Sequence, residues 1–123
     1  MTIQQLYEKI GGNYEQAVRV MKKDKLIDKY VRKLKDSDAG NQLAQAIEAM
    51  DAAKLFDGAH ALKGVCANLG LDALANAADE ITEEFRSGNP RKLSDAAVRE
   101  KVEALLTRFR HTVKGIEEDE AGV

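Results

Sequence analysis

The chain has 123 residues, a formal net charge of −2 at pH 7, and 33% charged but only 5% aromatic residues. This length suits one domain with a real core and is too short for two. Acidic and basic residues are interleaved, which argues against nucleic-acid binding. No apolar run approaches the roughly 20 residues of a membrane span, and the start lacks a secretion-signal pattern. The single cysteine, Cys66, is typical of a reducing compartment, so we predict a cytoplasmic protein without disulfides.

Three short helices are predicted in the N-terminal third of the chain. The first runs from about Thr2 to Ile10 and ends at a pair of glycines. The second begins after Asn13, whose side chain is suited to capping a helix, and reaches about Lys23. The third begins at Asp24 and carries apolar side chains at helical spacing: Leu26, Ile27, Tyr30, Val31 and Leu34.

Four longer amphipathic helices follow a polar break at residues 36–38. Turns are predicted at Gly70, which we expect in the left-handed conformation, and at residues 88–90. The second of these helices starts near Asp51, and Ser94 caps the last. The apolar stripe of the second helix consists of Leu55, Phe56, Ala59, Leu62, Cys66 and Leu69. The short connections predict an all-α fold, an antiparallel up-down four-helix bundle with additional short N-terminal helices. We expect it to span residues 1–116, with an acidic, flexible tail over 117–123.

His60 is the residue that points most directly to chemistry. At about 100° per residue, it lies roughly 120–140° from the centre of the apolar stripe on its helix, at the edge of the exposed face. Its neighbours one and two turns away are mostly small, namely Ala53, Asp57, Gly64 and Ala67. The sequence therefore predicts an accessible imidazole on a flat surface, although a single histidine is often just a surface residue. We predict that Ala53, Asp57 and Ala67 contact a partner protein.

Lys63 and Gly64 favour a functional role for His60 over that of an ordinary surface histidine. Lys63 is a near neighbour of His60 at i+3, where its ammonium would neutralise a phosphoryl oxygen. Glycine inside a helix costs about 0.5–1 kcal/mol relative to alanine, and Gly64 is too early to be a cap. We interpret it as space beside the imidazole, the alternative being close helix packing. A nucleophile, a counter-charge and open space together suit phosphoryl transfer.

The segment from Ala59 to Leu71, AHALKGVCANLGL, resembles the signature of histidine-containing phosphotransfer (HPt) domains. The lead-in over residues 13–17 and 26–34 is also similar to that family. The resemblance implies that His60 accepts a phosphoryl group from a receiver-domain phosphoaspartate and passes it to another receiver aspartate. It implies a monomeric phosphoryl carrier and not an enzyme, without cofactor or resident metal. The partners would be response-regulator receiver domains or a hybrid histidine kinase, which supply Mg²⁺ and the acidic pocket.

In the family, one flank of the next helix borders the active histidine and helps to bind the partner. The residues that match it here are Ala75, Asp79, Thr82 and Arg86. Arg86 falls where some relatives carry a basic residue, although an ordinary surface arginine is an equal alternative. Thr82 is a departure, since some relatives carry an amide at that position.

Two other functions remain as alternatives. The phosphoacceptor domain of a histidine kinase also places a histidine on a helical bundle, but usually follows it with an acidic residue and soon a proline. Here Ala61 follows, and Pro90 is the only proline. A helical interaction module that has lost phosphotransfer is the second alternative. Metal binding by Cys66 with His60 is disfavoured, because the two lie roughly 120° apart around the helix.

Overall fold

The computed structural model describes residues 2–122, and within them the secondary structure is entirely helical. A 3-10 turn over Lys33–Asp36 separates the third and fourth helices. The α-helices are α1 (Ile3–Ile10), α2 (Tyr14–Met21), α3 (Asp24–Arg32), α4 (Ala39–Glu48), α5 (Ala52–Asn68), α6 (Asp72–Phe85) and α7 (Asp95–Glu120). No helix in this part of the chain is long and apolar enough to cross a membrane.

Helices α4 to α7 form the predicted bundle. Helix α5 packs between α4 and α6, and α7 closes the ring by contacting α4 and α6. The core contains the predicted apolar stripes of α5 and α7, among them Leu55, Ala59, Leu62, Cys66, Val98, Val102 and Leu105. The short helices lie outside the ring, with α1 on α7 and α2 on α5. The fold class predicted from the sequence is confirmed.

The helix starts follow the capping residues in the sequence. The Thr2 hydroxyl accepts a hydrogen bond from the Gln5 backbone, and the Gln5 side chain accepts one from the Thr2 backbone, which completes a capping box. Asn13, Asp51 and Ser94 each accept a backbone hydrogen bond at the start of α2, α5 and α7. These contacts satisfy N–H groups that a helix cannot pair internally.

The end of α5 is fixed by its junction with the N-terminal helices. Gly70 is left-handed, with φ 67°, as predicted. Its carbonyl accepts a hydrogen bond of 2.7 Å from the Asn13 backbone, and the Tyr7 hydroxyl donates to the Leu69 carbonyl at 2.7 Å. A Cβ at Gly70 would lie 2.2 Å from the Asn13 carbonyl oxygen. Only glycine allows both this conformation and this close approach.

The connection from α6 to α7 is organised by Glu84, whose side chain is buried. Its carboxylate accepts hydrogen bonds from the backbone N–H groups of Lys92 and Leu93 and from Arg91 Nε, at 2.7 Å for the last. Burial by itself would raise the pKa of Glu84, but these donors together hold it below its usual value. This anchoring fixes the C-terminal end of α6, the site of Arg86.

Residues 117–120, expected to belong to a flexible tail, are helical in the structure. Helix α7 continues through residue 116 to Glu120. Asp119 is paired with Arg32 at 2.6 Å, and Glu120 with Lys35 at 2.6 Å. These ion pairs to the α3 region hold the acidic residues in the helix, which periodicity alone does not reveal. Expectations for Met1 and Val123 lie outside the described residues.

The predicted stripe of α3 is only partly buried. Ile27 and Val31 are fully covered, whereas Leu26 and Tyr30 remain 37% and 40% exposed. Helix α3 packs against α2 and α1 but does not enter the four-helix ring, so only a narrow side of it is covered.

Candidate functional site

His60 lies in the middle of α5 with its side chain exposed. Leu55, Ala59, Leu62 and Cys66 of the same helix point into the core. The predicted separation of His60 from the apolar stripe is therefore present in the fold. An exposed imidazole on a rigid helix is accessible to a partner and is held by the bundle beneath it.

The imidazole is not isolated, because it stacks on the ring of Phe56 one turn earlier. The two ring centroids are 5.4 Å apart and the planes differ by 12°. The Arg86 guanidinium of α6 lies 5.5 Å from the centroid of the same phenyl ring. Arg86 in turn pairs with Glu83 at 3.0 Å, and this carboxylate raises the pKa of the Arg86 guanidinium. Arg86 therefore contacts the same phenyl ring on which the His60 imidazole stacks.

Phe56 was predicted from the sequence to belong to the apolar stripe of α5 and not to the site. In the structure Phe56 is half-buried. The signal was its i, i+4 spacing to His60, which places two aromatic rings on adjacent turns of one helix face.

Gly64 borders open space. A Cβ built at this position meets no atom within 4 Å outside its own helix, so Gly64 is not kept for close packing. Gly58, earlier on α5, differs, because a Cβ there would lie 3.1 Å from Leu43 Cδ2 on α4. The alternative interpretation, that Gly64 allows close helix packing, is therefore wrong. Gly58 is the glycine of α5 that lies close to a neighbouring helix.

Lys63 reaches across to α6. Its Nζ lies 2.7 Å from Asp79 Oδ1, and both side chains remain more than a third exposed. Both residues were candidates in the sequence, but their ion pair was not foreseen, because it depends on how α5 and α6 pack. The ammonium of Lys63, three residues after His60, is therefore already paired with a carboxylate of α6.

Two of the candidate partner-binding residues are corrected by the structure. Ala75 is 8% exposed, and Thr82 is fully buried with its hydroxyl donating to the Ala78 carbonyl at 2.9 Å. Thr82 therefore offers no surface to a partner, and Ala75 offers very little. Helix α6 is covered by both α5 and α7, so its buried face is wider than one stripe predicts. The other candidates, Ala53, Asp57, Ala67, Asp79 and Arg86, are at least partly exposed.

An apolar groove beside the C-terminal half of α5 was also missed. Val65 is 46% exposed and lines this groove of about 370 Å³ together with residues of α2, α3 and the 3-10 turn. Tyr30 forms part of its wall, with the Lys33 ammonium 4.9 Å from the ring centroid. No periodicity within one helix could have shown a groove assembled from separate elements.

Cys66 is not a competing nucleophile. Its side chain is fully buried, and burial raises the pKa of the thiol to about 12, so it remains neutral near pH 7. Over residues 2–122, no group of three or more His, Cys, Asp or Glu side chains is placed to hold a metal ion.

A comparison with protein families gave a match. The family model for the Hpt domain matches residues 37–115, more than half of the chain, from just before α4 to near the end of α7. The match includes His60, Lys63 and Gly64 and leaves the N-terminal helices outside. Comparisons with curated proteins and with solved structures gave no match. The chain belongs to the Hpt domain family, whose members are phosphoryl carriers of two-component phosphorelays and not enzymes.

Proposed function

We propose that His60 accepts a phosphoryl group from the phosphoaspartate of a receiver domain and passes it to an aspartate of another receiver. The observation that carries this proposal is the exposed imidazole of His60, which lies within the residues matched by the Hpt family model and next to open space at Gly64. The chain has one other histidine, His111, on α7.

The chemistry is a pair of opposite substitutions at phosphorus. The unprotonated nitrogen of neutral His60 attacks the phosphorus of the acyl phosphate, the new N–P bond forms, and the bond to the aspartate oxygen breaks. The aspartate leaves as a carboxylate. In the onward step, the carboxylate of the second receiver attacks phosphorus and the imidazole leaves. The partner receiver supplies Mg²⁺ and the acidic pocket.

Lys63 supplies positive charge to the phosphoryl group in this proposal. The dianionic phosphoryl oxygens compete with Asp79 for the Lys63 ammonium, which lies 2.7 Å from Asp79 Oδ1 when His60 is unmodified. Both side chains are partly exposed, so exchanging one partner for another has a small energetic cost.

The receiver would dock across the exposed face of α5. Around His60 this face presents the side chains of Ala53, Asp57 and Ala67, with Asp79 and Arg86 at its border on α6. Small side chains let a second surface approach the imidazole closely. We propose that the domain acts as a monomer in the cytoplasm, since one copy of this face suffices for one receiver.

A panel of receiver domains phosphorylated with ³²P tests the proposal. At least one receiver should transfer label to the wild-type chain in an acid-labile, base-stable form typical of phosphohistidine. His60→Gln should abolish labelling without unfolding the bundle, because the side chain is exposed. His111→Gln is the matched control and should be labelled like the wild type.

Labelling that persists in His60→Gln and disappears in His111→Gln would contradict the assignment of His60. If no receiver labels the folded wild-type chain, the non-catalytic interaction module becomes the better description.

A further inference from the structure

We propose that Phe56 is a positioning residue for His60, orienting the imidazole so that its attacking nitrogen faces an incoming phosphoryl group. This inference rests on the proposed function of His60. It concerns how the nucleophile is presented, and assigns a role to a residue that the sequence placed in the core.

The first observation is the geometry of the ring pair. The His60 and Phe56 planes differ by 12° with centroids 5.4 Å apart, which is an offset-stacked arrangement. The imidazole is exposed, so few other contacts limit its rotation. Stacking on a flat ring favours one orientation of the imidazole plane over those that an exposed histidine would otherwise sample.

The second observation is that the phenyl ring is itself held in place. Phe56 is half-buried, so part of its ring is enclosed by the protein. The Arg86 guanidinium lies 5.5 Å from the ring centroid, and Glu83 holds Arg86 at 3.0 Å. Residues of α6 thus restrain the ring on which the imidazole of α5 lies.

Orientation matters because phosphoryl transfer requires the attacking and leaving atoms to be roughly in line with phosphorus. An imidazole already turned to the partner loses less freedom on reaching that alignment. From the strength of aromatic pairs, loss of the stack should slow transfer by about two- to tenfold. The loss should appear in the rate at saturating receiver and leave the receiver KM unchanged, because Phe56 is not required for docking.

The test compares Phe56→Leu, which keeps an apolar side chain without a flat face, with Phe56→Tyr, which keeps the face. The matched control is Phe85→Leu. Phe85 is also half-buried and also carries a guanidinium, that of Arg91 at 4.3 Å, but it does not contact His60. Circular dichroism establishes that each variant is folded. Transfer is measured both from a phosphorylated receiver and from phosphoramidate, a small donor that needs no docking surface.

We expect Phe56→Leu to lower the maximal rate two- to tenfold with both donors, Phe56→Tyr to restore it, and Phe85→Leu to match the wild type. Equal rates in Phe56→Leu and the wild type, a faster Phe56→Leu, or a change in KM alone would overturn the inference. If no receiver labels the wild type, the proposed function fails, while the phosphoramidate rates still decide the role of Phe56.

A spectroscopic measurement on the wild-type chain keeps the test independent of variant folding. Ring current from Phe56 should move the ring C–H proton resonances of His60 upfield of those of His111. Coincident resonances would show that the stack is absent in solution and would overturn the inference.

Discussion

Gly64 and Gly70, at and just beyond the second half of α5, differ in how much space surrounds them. Gly64 lies inside α5 with no atom within 4 Å of a Cβ built on it, next to the exposed face that carries His60. Gly70 follows α5 in the left-handed conformation, and a Cβ there would lie 2.2 Å from the Asn13 carbonyl oxygen. The same residue type leaves space for a partner at one position and allows close contact of the chain with itself at the other.

One part of α5 therefore serves phosphoryl transfer, and its C-terminal end serves the stability of the fold. Around Gly64 the surface is open and polar contacts such as Lys63–Asp79 are partly exposed, so changes there should affect transfer. Around Gly70 the backbone hydrogen bond to Asn13 and the Tyr7 hydroxyl join α5 to α1 and α2, so changes there should affect stability.

The largest expected effect is that of Gly70→Ala. The left-handed conformation costs an alanine about 1–2 kcal/mol, and relieving the contact with Asn13 adds to it. We expect a total loss of about 2–4 kcal/mol in the free energy of unfolding, measured by urea denaturation. The control is Gly11→Ala, since Gly11 has φ 74° but no atom within 4 Å of its Cβ position. Equal losses at the two positions would show that the contact with Asn13 is unimportant.

Gly64 should show the reverse pattern. Gly64→Ala should raise the free energy of unfolding by about 0.5–1 kcal/mol, because alanine fills open space and favours the helix. Phosphotransfer should fall from glycine to alanine to glutamine, by roughly tenfold or more for Gly64→Gln, as the longer side chain covers the imidazole. Rates are measured with a phosphorylated receiver and stability by thermal melting.

Gly58→Ala provides the matched control for Gly64. Its Cβ would lie 3.1 Å from Leu43 Cδ2, so the gain in stability should be smaller than at Gly64, with transfer unchanged. A loss of stability in Gly64→Ala that parallels the loss of transfer would mean that the open-space argument is wrong.

The smallest effects are expected at the Lys63–Asp79 pair. Lys63→Ala should slow transfer a few-fold and change the free energy of unfolding by no more than about 0.5 kcal/mol, because the pair is partly exposed. Asp79→Asn should shift the equilibrium toward phosphorylated His60 by freeing the ammonium. Lys101→Ala, which breaks an ion pair of 2.8 Å with Glu80, is the control and should not alter transfer. Equal transfer in all three variants would return Lys63 to an ordinary surface role.

Much of the fold was predictable because local signals and the tertiary structure agree. Caps at Asn13 and Ser94, the left-handed Gly70 and the apolar stripes together define the helices and the bundle. The failures lie where burial depends on several neighbours. Thr82 is buried because α6 packs on two helices. Asp119 lies in the last turns of α7, where its carboxylate forms an ion pair with Arg32 of α3.

The sequence by itself determined that His60 lies on the exposed side of an amphipathic helix, because helical periodicity alone fixes its angle to the apolar stripe. It also showed that Lys63 and Gly64 follow His60 by three and four residues, in a segment that resembles the signature of Hpt domains. Only the tertiary structure decided the contacts between helices. Those include the Lys63–Asp79 pair and Arg86 over the ring on which His60 stacks. Such contacts depend on the relative position of α5 and α6, which no single helix encodes.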